Sequence, residues 1–128
     1  MVRQGQRVAV VGASPKPERY SNRAVALLAE HGHEAIPVNP NATAIHGIPA
    51  VKALADIAGH VDTVTLYVSP GISSSMEADL LKLRPGRVIF NPGSENPGLR
   101  QTLETNGIAT VEACTLVMLK TDQFERMA

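Results

Sequence analysis

Aromatic side chains are scarce in this chain of 128 residues: two Tyr, two Phe and no Trp make up 3% of it. That scarcity argues against the stacking platforms on which single-stranded nucleic acids bind. It also leaves the core to Val, Ile, Leu and Ala. Cysteine occurs once, as Cys114, which excludes an internal disulfide and suits a reducing compartment. Neither charge is in excess. Twelve Lys and Arg balance twelve Asp and Glu, so no global field draws in nucleic acid or an anionic membrane. No apolar run approaches the ~20 residues that cross a bilayer, and Met1 to Gln6 is short and polar, without the apolar centre of a secretory signal. The expectation is a cytoplasmic protein with neither a nucleic-acid nor a membrane partner.

What is present is ordinary for one globular unit: 44% apolar and 19% charged residues, which we read as one domain over residues 1–128. Short β-branched runs alternate with helical segments. Arg7–Val11, closed by Gly12, predicts a central strand. A polar loop from Ala13 to Tyr20 leads to a helix capped by Ser21 or Asn22 and running to Glu30, with Ala24, Leu27, Leu28 and His31 on its apolar face. Glu34–Val38 predicts a second strand, which Pro37 assigns to the sheet margin. Residues 45–50 offer little beyond a brief strand at Ile48, and 51–57 a short helix. Strands then follow at 61–68, 88–90 and 108–111, with helices at 73–83 and 97–105 and further order at 115–119. This alternation implies parallel βαβ units. The fold class is therefore α/β: a single Rossmann-like doubly wound sheet of five or six strands flanked by helices.

In such a sheet, ligands bind beyond the carboxyl ends of the strands, near the switch in strand order. The segments to inspect are Gly12-Ala13-Ser14, Asn39-Pro40-Asn41, Ser69-Pro70-Gly71 and Asn91-Pro92-Gly93-Ser94. The dinucleotide pattern G-x-G-x-x-G is missing after Gly12, and Asn39 stands where a ribose-binding acid belongs. No glycine precedes Lys16 and no Ser or Thr follows it, so the P-loop is missing too. A helix N-terminus with Lys16, Arg19 and Arg23 close by remains, and it could hold a diphosphate. The same loop could equally be a tight turn with solvated charges.

The segments Val8-Ala9-Val10-Val11-Gly12-Ala13-Ser14-Pro15-Lys16-Pro17, Ser21-Asn22, His31-Gly32-His33 and Ile36-Pro37-Val38-Asn39-Pro40 resemble the small stand-alone CoA-binding domain proteins. Those in turn are similar to the N-terminal domain of the succinyl-CoA synthetase α subunit. The likeness continues through Gly47, Leu54-Ala55-Asp56-Ile57 and Val61-Asp62 to Cys114. It implies coenzyme A as the ligand. Gly12, Ala13, Ser14 and Lys16 would form the loop around its diphosphate, with Arg19 and Tyr20 in the same stretch. Asn39, Pro40 and Asn41 would border the adenosine, Asn41 being the nearest polar equivalent of a synthetase lysine. Val68, Ser69 and Pro70 would lie on the other side of the nucleotide. Asn91-Pro92-Gly93 replaces a Thr-Glu-Gly type loop.

The other reactive residues read as structural. His31, His33, His46 and His60 lack the spacing of metal ligands and any evident carboxylate partner. Cys114 reads as a small hydrophobe, the alternative being a mixed disulfide with the CoA thiol. Ser73, Ser74, Ser75, Ser94 and Glu95 read as helix caps. With no acid–base pair, triad or metal cluster, a non-catalytic module binding CoA or an acyl-CoA is favoured over an enzyme. The enzyme alternatives are a divergent nucleotide-dependent oxidoreductase or an acyl-CoA processing subunit. A homo-oligomer or a protein partner is compatible with either.

Overall fold

The computed structural model describes residues 5–125. Residues 1–4, part of the polar N-terminal segment noted above, lie outside the described residues. In chain order the elements are β1 (Arg7–Val11), α1 (Tyr20–Glu30), β2 (Glu34–Val38), β3 (Ala44–Ile45), β4 (Ile48–Pro49), β5 (Thr63–Leu66), α2 (Pro70–Ser74), α3 (Glu77–Leu83), β6 (Arg87–Phe90), α4 (Pro97–Thr105), β7 (Ala109–Glu112) and α5 (Thr115–Lys120). Five strands form one parallel sheet in the order β2-β1-β5-β6-β7, so the main sheet has five strands rather than six. β3 and β4 make a separate antiparallel hairpin.

Side-chain alternation divides the sheet into two apolar faces. Ala9, Val11, Val64, Leu66, Val88 and Phe90 pack with Leu80, Leu99 and Leu103 of α3 and α4. Val8, Val10 and Ile89 pack with Val25 and Leu28 of α1 and with Met118 and Leu119 of α5. Burying one such side chain contributes about 1.5–3 kcal/mol. On the second face β5 presents Thr63 and Thr65, both buried. Their hydroxyls are satisfied, Thr65 by Thr115 at 2.7 Å and Thr63 by donating to Gln6 Oε1 at 2.6 Å.

Pro37 does lie in the edge strand, and the chain compensates there. Val51 N donates to Pro37 O at 2.9 Å, and Asn39 N donates to Val51 O at 2.9 Å. This pairing holds Val51 against β2, and Ala53 is extended, so the short helix expected at 51–57 shrinks to a 3₁₀ turn at Leu54–Asp56. The helix expected at 73–83 starts earlier, because Pro70 suits a first turn, and it breaks at Ser75–Met76 into α2 and α3. Pairing in the strand expected at 61–68 is confined to Thr63–Leu66. Residues 45–50, expected to hold a single brief strand, form the β3–β4 hairpin.

The start of α1 also differs from expectation. Its N-cap is Arg19, which makes no side-chain capping bond; Ser21 and Asn22 lie inside the helix, each 5% exposed. Lys16 O accepts from Arg19 N at 3.1 Å, and that turn brings the chain into the helix early. His31 is exposed at the C-cap, and Val25 takes the place expected for it in the apolar face.

Candidate functional site

The strand order reverses between β1 and β5, with β2 on one side and β6 and β7 on the other, so the switch point falls between Gly12 and Tyr67. Gly12 has φ +83°, a conformation that suits glycine. A Cβ there would lie 2.7 Å from Tyr67 O and 2.8 Å from Val68 Cγ1. The loops after β1 and β5 therefore touch only because residue 12 has no side chain. Two cavities meet at this glycine.

The first, of roughly 330 Å³, is lined by Gly12, Ser14, Glu18, Arg19, Tyr20, Ser21 and Tyr67. It opens on the start of α1, whose first turn contains no acidic residue. The first backbone N–H groups of a helix have no acceptor within the helix. Here Arg23 N reaches Arg19 O at 3.2 Å, while the amides of Tyr20, Ser21 and Asn22 find no acceptor among the described residues. The helix dipole, three free donors and the Arg19 side chain favour an anion there. Glu18 opposes it.

The loop before the helix is tied down by its own bonds. Ser14 N donates to Ser21 Oγ at 3.1 Å, and Asn22 Nδ2 donates to Ser14 O at 2.8 Å. Lys16 N donates to Ser14 Oγ at 3.1 Å, and Gly12 N donates to Val38 O at 3.1 Å. Four loop amides are thus engaged, Arg19 N included, and Ala13 N and Glu18 N join the first amides of α1 as donors with no acceptor among the described residues. Ala13 is buried against the second core face. Lys16 is exposed and lines neither cavity.

The second cavity, of roughly 250 Å³, is largely apolar. Val38, Asn39, Pro40, Val68 and Gly12 belong to the strand ends, and Lys52, Leu54, Ile72, Met76 and Asp79 complete much of the lining. Asn39 braces the region. Its Nδ2 donates to Ala13 O at 2.7 Å, while its Oδ1 accepts from Asn41 N at 2.6 Å and Ala42 N at 3.0 Å. Asn41 thus belongs to the brace and is not in the lining. Ser69 caps α2 through its backbone alone, and Pro70 is the first residue of that helix; neither lines the cavity.

Beneath the polar cavity the strand ends are joined by side chains. Asn91 donates to Thr65 Oγ1 at 2.6 Å and to Leu66 O at 2.9 Å, and accepts from Thr115 N at 2.9 Å. Asn91 therefore fixes α5 to the sheet. Tyr67 lies beside this network with its hydroxyl buried and without a hydrogen-bond partner among the described residues. Burial pushes its phenol up to about 12. The nearby Thr115 and Thr65 hydroxyls pull the other way without reaching hydrogen-bond geometry, and burial wins.

Sequence reasoning placed Gly12, Ser14, Arg19, Tyr20, Asn39, Pro40 and Val68 at the cavities, and it missed Glu18, Lys52, Tyr67, Ile72, Met76 and Asp79. Tyr67 fell inside the strand expected at 61–68, and the end of β5 at Leu66 is what brings it to the switch point. Lys52 and Asp79 gave no local signal. Elsewhere, Cys114 is half-buried as the N-cap of α5. His60 does have a carboxylate partner, Asp62 at 3.3 Å. Asn96, rather than Ser94 or Glu95, caps α4 by accepting from Leu99 N at 3.1 Å. Ser73 lies within α2, its hydroxyl donating to Pro70 O at 3.2 Å. Among the described residues no three His, Cys, Asp or Glu converge as metal ligands, and no helix is long and apolar enough to cross a membrane.

Fold and site together define a doubly wound α/β protein with an uncapped helix start and an apolar cavity at its switch point. Residues 6–120 match the family described as CoA binding domain, and the chain belongs to that family. One crystal structure of an uncharacterized protein is 42% identical, with a TM-score of 0.88, covering 94% of this chain and 98% of the other. A Thermus thermophilus protein is 30% identical with a TM-score of 0.87, covering 92% and 90%. At 20% identity, where only the fold is shared, a dinucleotide forming acetyl-coenzyme A synthetase from Ca. Korarchaeum cryptofilum, in complex with phosphate and ADP, has a TM-score of 0.72 over 87% of this chain and 26% of its own. Bacillus subtilis YneT is 36% identical over 67 residues, and that match spans about half of either chain, 52% of this one and 50% of YneT.

Proposed function

We propose that the protein binds coenzyme A, free or acylated, in the cytoplasm as a non-catalytic module, any chemistry being left to a partner protein. The observation that carries this reading is the uncapped start of α1, opening on a cavity that meets an apolar one at Gly12. A diphosphate suits the first position, because Arg19 lines it together with Tyr20 and Ser21, whose amides have no acceptor among the described residues. An adenine suits the second, where aliphatic side chains can cover its faces. Membership of the family described as CoA binding domain supports coenzyme A as that ligand. The titratable groups at the polar cavity are Glu18, Arg19, Tyr20 and Tyr67. Tyr67 keeps its proton at neutral pH, so these residues offer charge and hydrogen bonds without a paired nucleophile and base.

Thermal melting with CoA and NAD at equal concentration tests the reading. A ligand present at a hundred times its Kd stabilises the native state by ~2.7 kcal/mol, an easily measured shift. CoA is expected to raise the melting temperature more than NAD. A shift with NAD as large as that with CoA would favour the oxidoreductase alternative.

A further inference from the structure

The apolar cavity contains two charges that an aliphatic pocket for a flat ring does not require. Lys52 and Asp79 both line it, and neither makes an ion pair among the described residues. They come from separate elements. Asp79 lies on α3, whereas Lys52 directly follows Val51, which is clamped to the end of β2 by two backbone hydrogen bonds. That clamp ties the residue before the lysine to Asn39 N and Pro37 O, and Lys52 lines the same cavity as Gly12, Asn39 and Pro40.

We propose that Lys52 reads the phosphate on the ribose 3′ carbon of coenzyme A, so that the site selects CoA over its dephospho form. The inference rests on the CoA reading above. With the diphosphate at the start of α1 and the adenine in the apolar cavity, the ribose lies between them, near Gly12 and Asn39. Of the two cations that line the cavities, Arg19 faces the diphosphate, and Lys52 alone is on the adenosine side. Asn39 is poorly placed to substitute for it. Its carbonyl oxygen already accepts two amides, and one amide hydrogen is held by Ala13 O. An ammonium on a flexible stem can follow a phosphate at the cavity mouth. Asp79 would repel that phosphate and suits instead the exocyclic amine of the adenine, a donor.

Titration calorimetry with CoA and dephospho-CoA on the wild type, Lys52→Gln, Lys52→Arg and Asp79→Asn tests this. Lys52 is exposed, so its variants are expected to melt like the wild type. The wild type should bind CoA on the order of tenfold more tightly than dephospho-CoA, a ratio set by one charge-assisted contact in a wet site. Lys52→Gln should bring the ratio to within about twofold by weakening CoA alone, as expected of a lost phosphate contact. Lys52→Arg and Asp79→Asn should preserve the preference. Equal affinity of the wild type for both ligands, or an unchanged ratio in Lys52→Gln, overturns the role of Lys52 and leaves CoA binding standing. Failure of both ligands to bind the wild type overturns the CoA reading itself.

Discussion

At the N-terminal ends of the sheet strands, polar groups bond to one another. Arg7 Nη1 donates to Ala58 O at 2.9 Å and His60 O at 2.7 Å, and Arg7 N donates to Asp62 Oδ2 at 2.7 Å. Arg87, 5% exposed, donates to Thr63 Oγ1 at 2.9 Å and Phe124 O at 2.6 Å, and its guanidinium lies 4.4 Å from the centre of the Phe124 ring. His33 Nδ1 accepts from Gln6 N at 2.9 Å, and its ring lies 5.0 Å from that of Phe124. At the C-terminal ends, by contrast, the amides of Tyr20, Ser21 and Asn22 find no acceptor among the described residues, Tyr20 and Ser21 line a cavity, and the Tyr67 hydroxyl has no partner among the described residues. The same sheet is thus sealed at one end and open at the other. Satisfied polar groups at the sealed end stabilise the native state, whereas the unsatisfied amides at the start of α1 can serve a ligand.

If the ends divide stability from binding, substitutions should separate the two properties. The largest loss of stability is expected for Arg87→Ala, about 3 kcal/mol, because charge-assisted bonds to buried acceptors disappear. Burial already pushes the guanidinium pKa down, yet it stays charged and needs those acceptors. Urea unfolding should show the loss, while the CoA affinity of the folded variant stays within twofold. A matching loss of affinity would break the division.

Next is the alkaline limit set by Tyr67. Its pKa is raised from 10 in the ordinary state to about 12 in the native one. Because burial disfavours the phenolate in the native state, stability does not respond to this group below pH 10 and falls by roughly 2–3 kcal/mol as the pH rises from 10 toward 12. Urea unfolding across this range should show that decline in the wild type and a shallower one in Tyr67→Phe. At neutral pH the Phe variant should be as stable as the wild type, because the deleted hydroxyl has no partner to lose.

Gly12→Ala should cost about 2 kcal/mol, from the positive φ and the collision with Tyr67 O. Unlike Arg87→Ala, it should also lower CoA affinity, since residue 12 stands where both cavities meet. Asn39→Asp should cost about 1 kcal/mol by removing the donor to Ala13 O, and its charge should weaken CoA binding severalfold; calorimetry checks both variants. The smallest effect is expected for Lys16→Ala. Lys16 lines neither cavity, so affinity should change less than in Arg19→Ala, where on the order of tenfold is expected for a lost phosphate contact.

Much of this was legible in the sequence where local rules act alone. The Val-rich run closed by Gly12, the edge position of β2 from Pro37, and the parallel sheet from alternating elements all follow from periodicity and backbone chemistry. Local rules failed where tertiary contacts compete with them. Ser21 and Asn22 look like caps, but their side chains turn back to bond Ser14. Residues 51–57 look helical, but Val51 is captured by the edge of β2. Lys52 and Asp79 reach the apolar cavity from segments with no motif, and only the fold brings them there.

The most direct measurement is an amide NMR titration of the protein with CoA. Shifts are expected at Gly12, Tyr20, Ser21 and Asn22, with Arg7, Asp62, Arg87 and Phe124 unmoved. Shifts concentrated at the Arg87 end, or saturable CoA binding that leaves Tyr20 to Asn22 unperturbed, would contradict the assignment of the diphosphate to the start of α1.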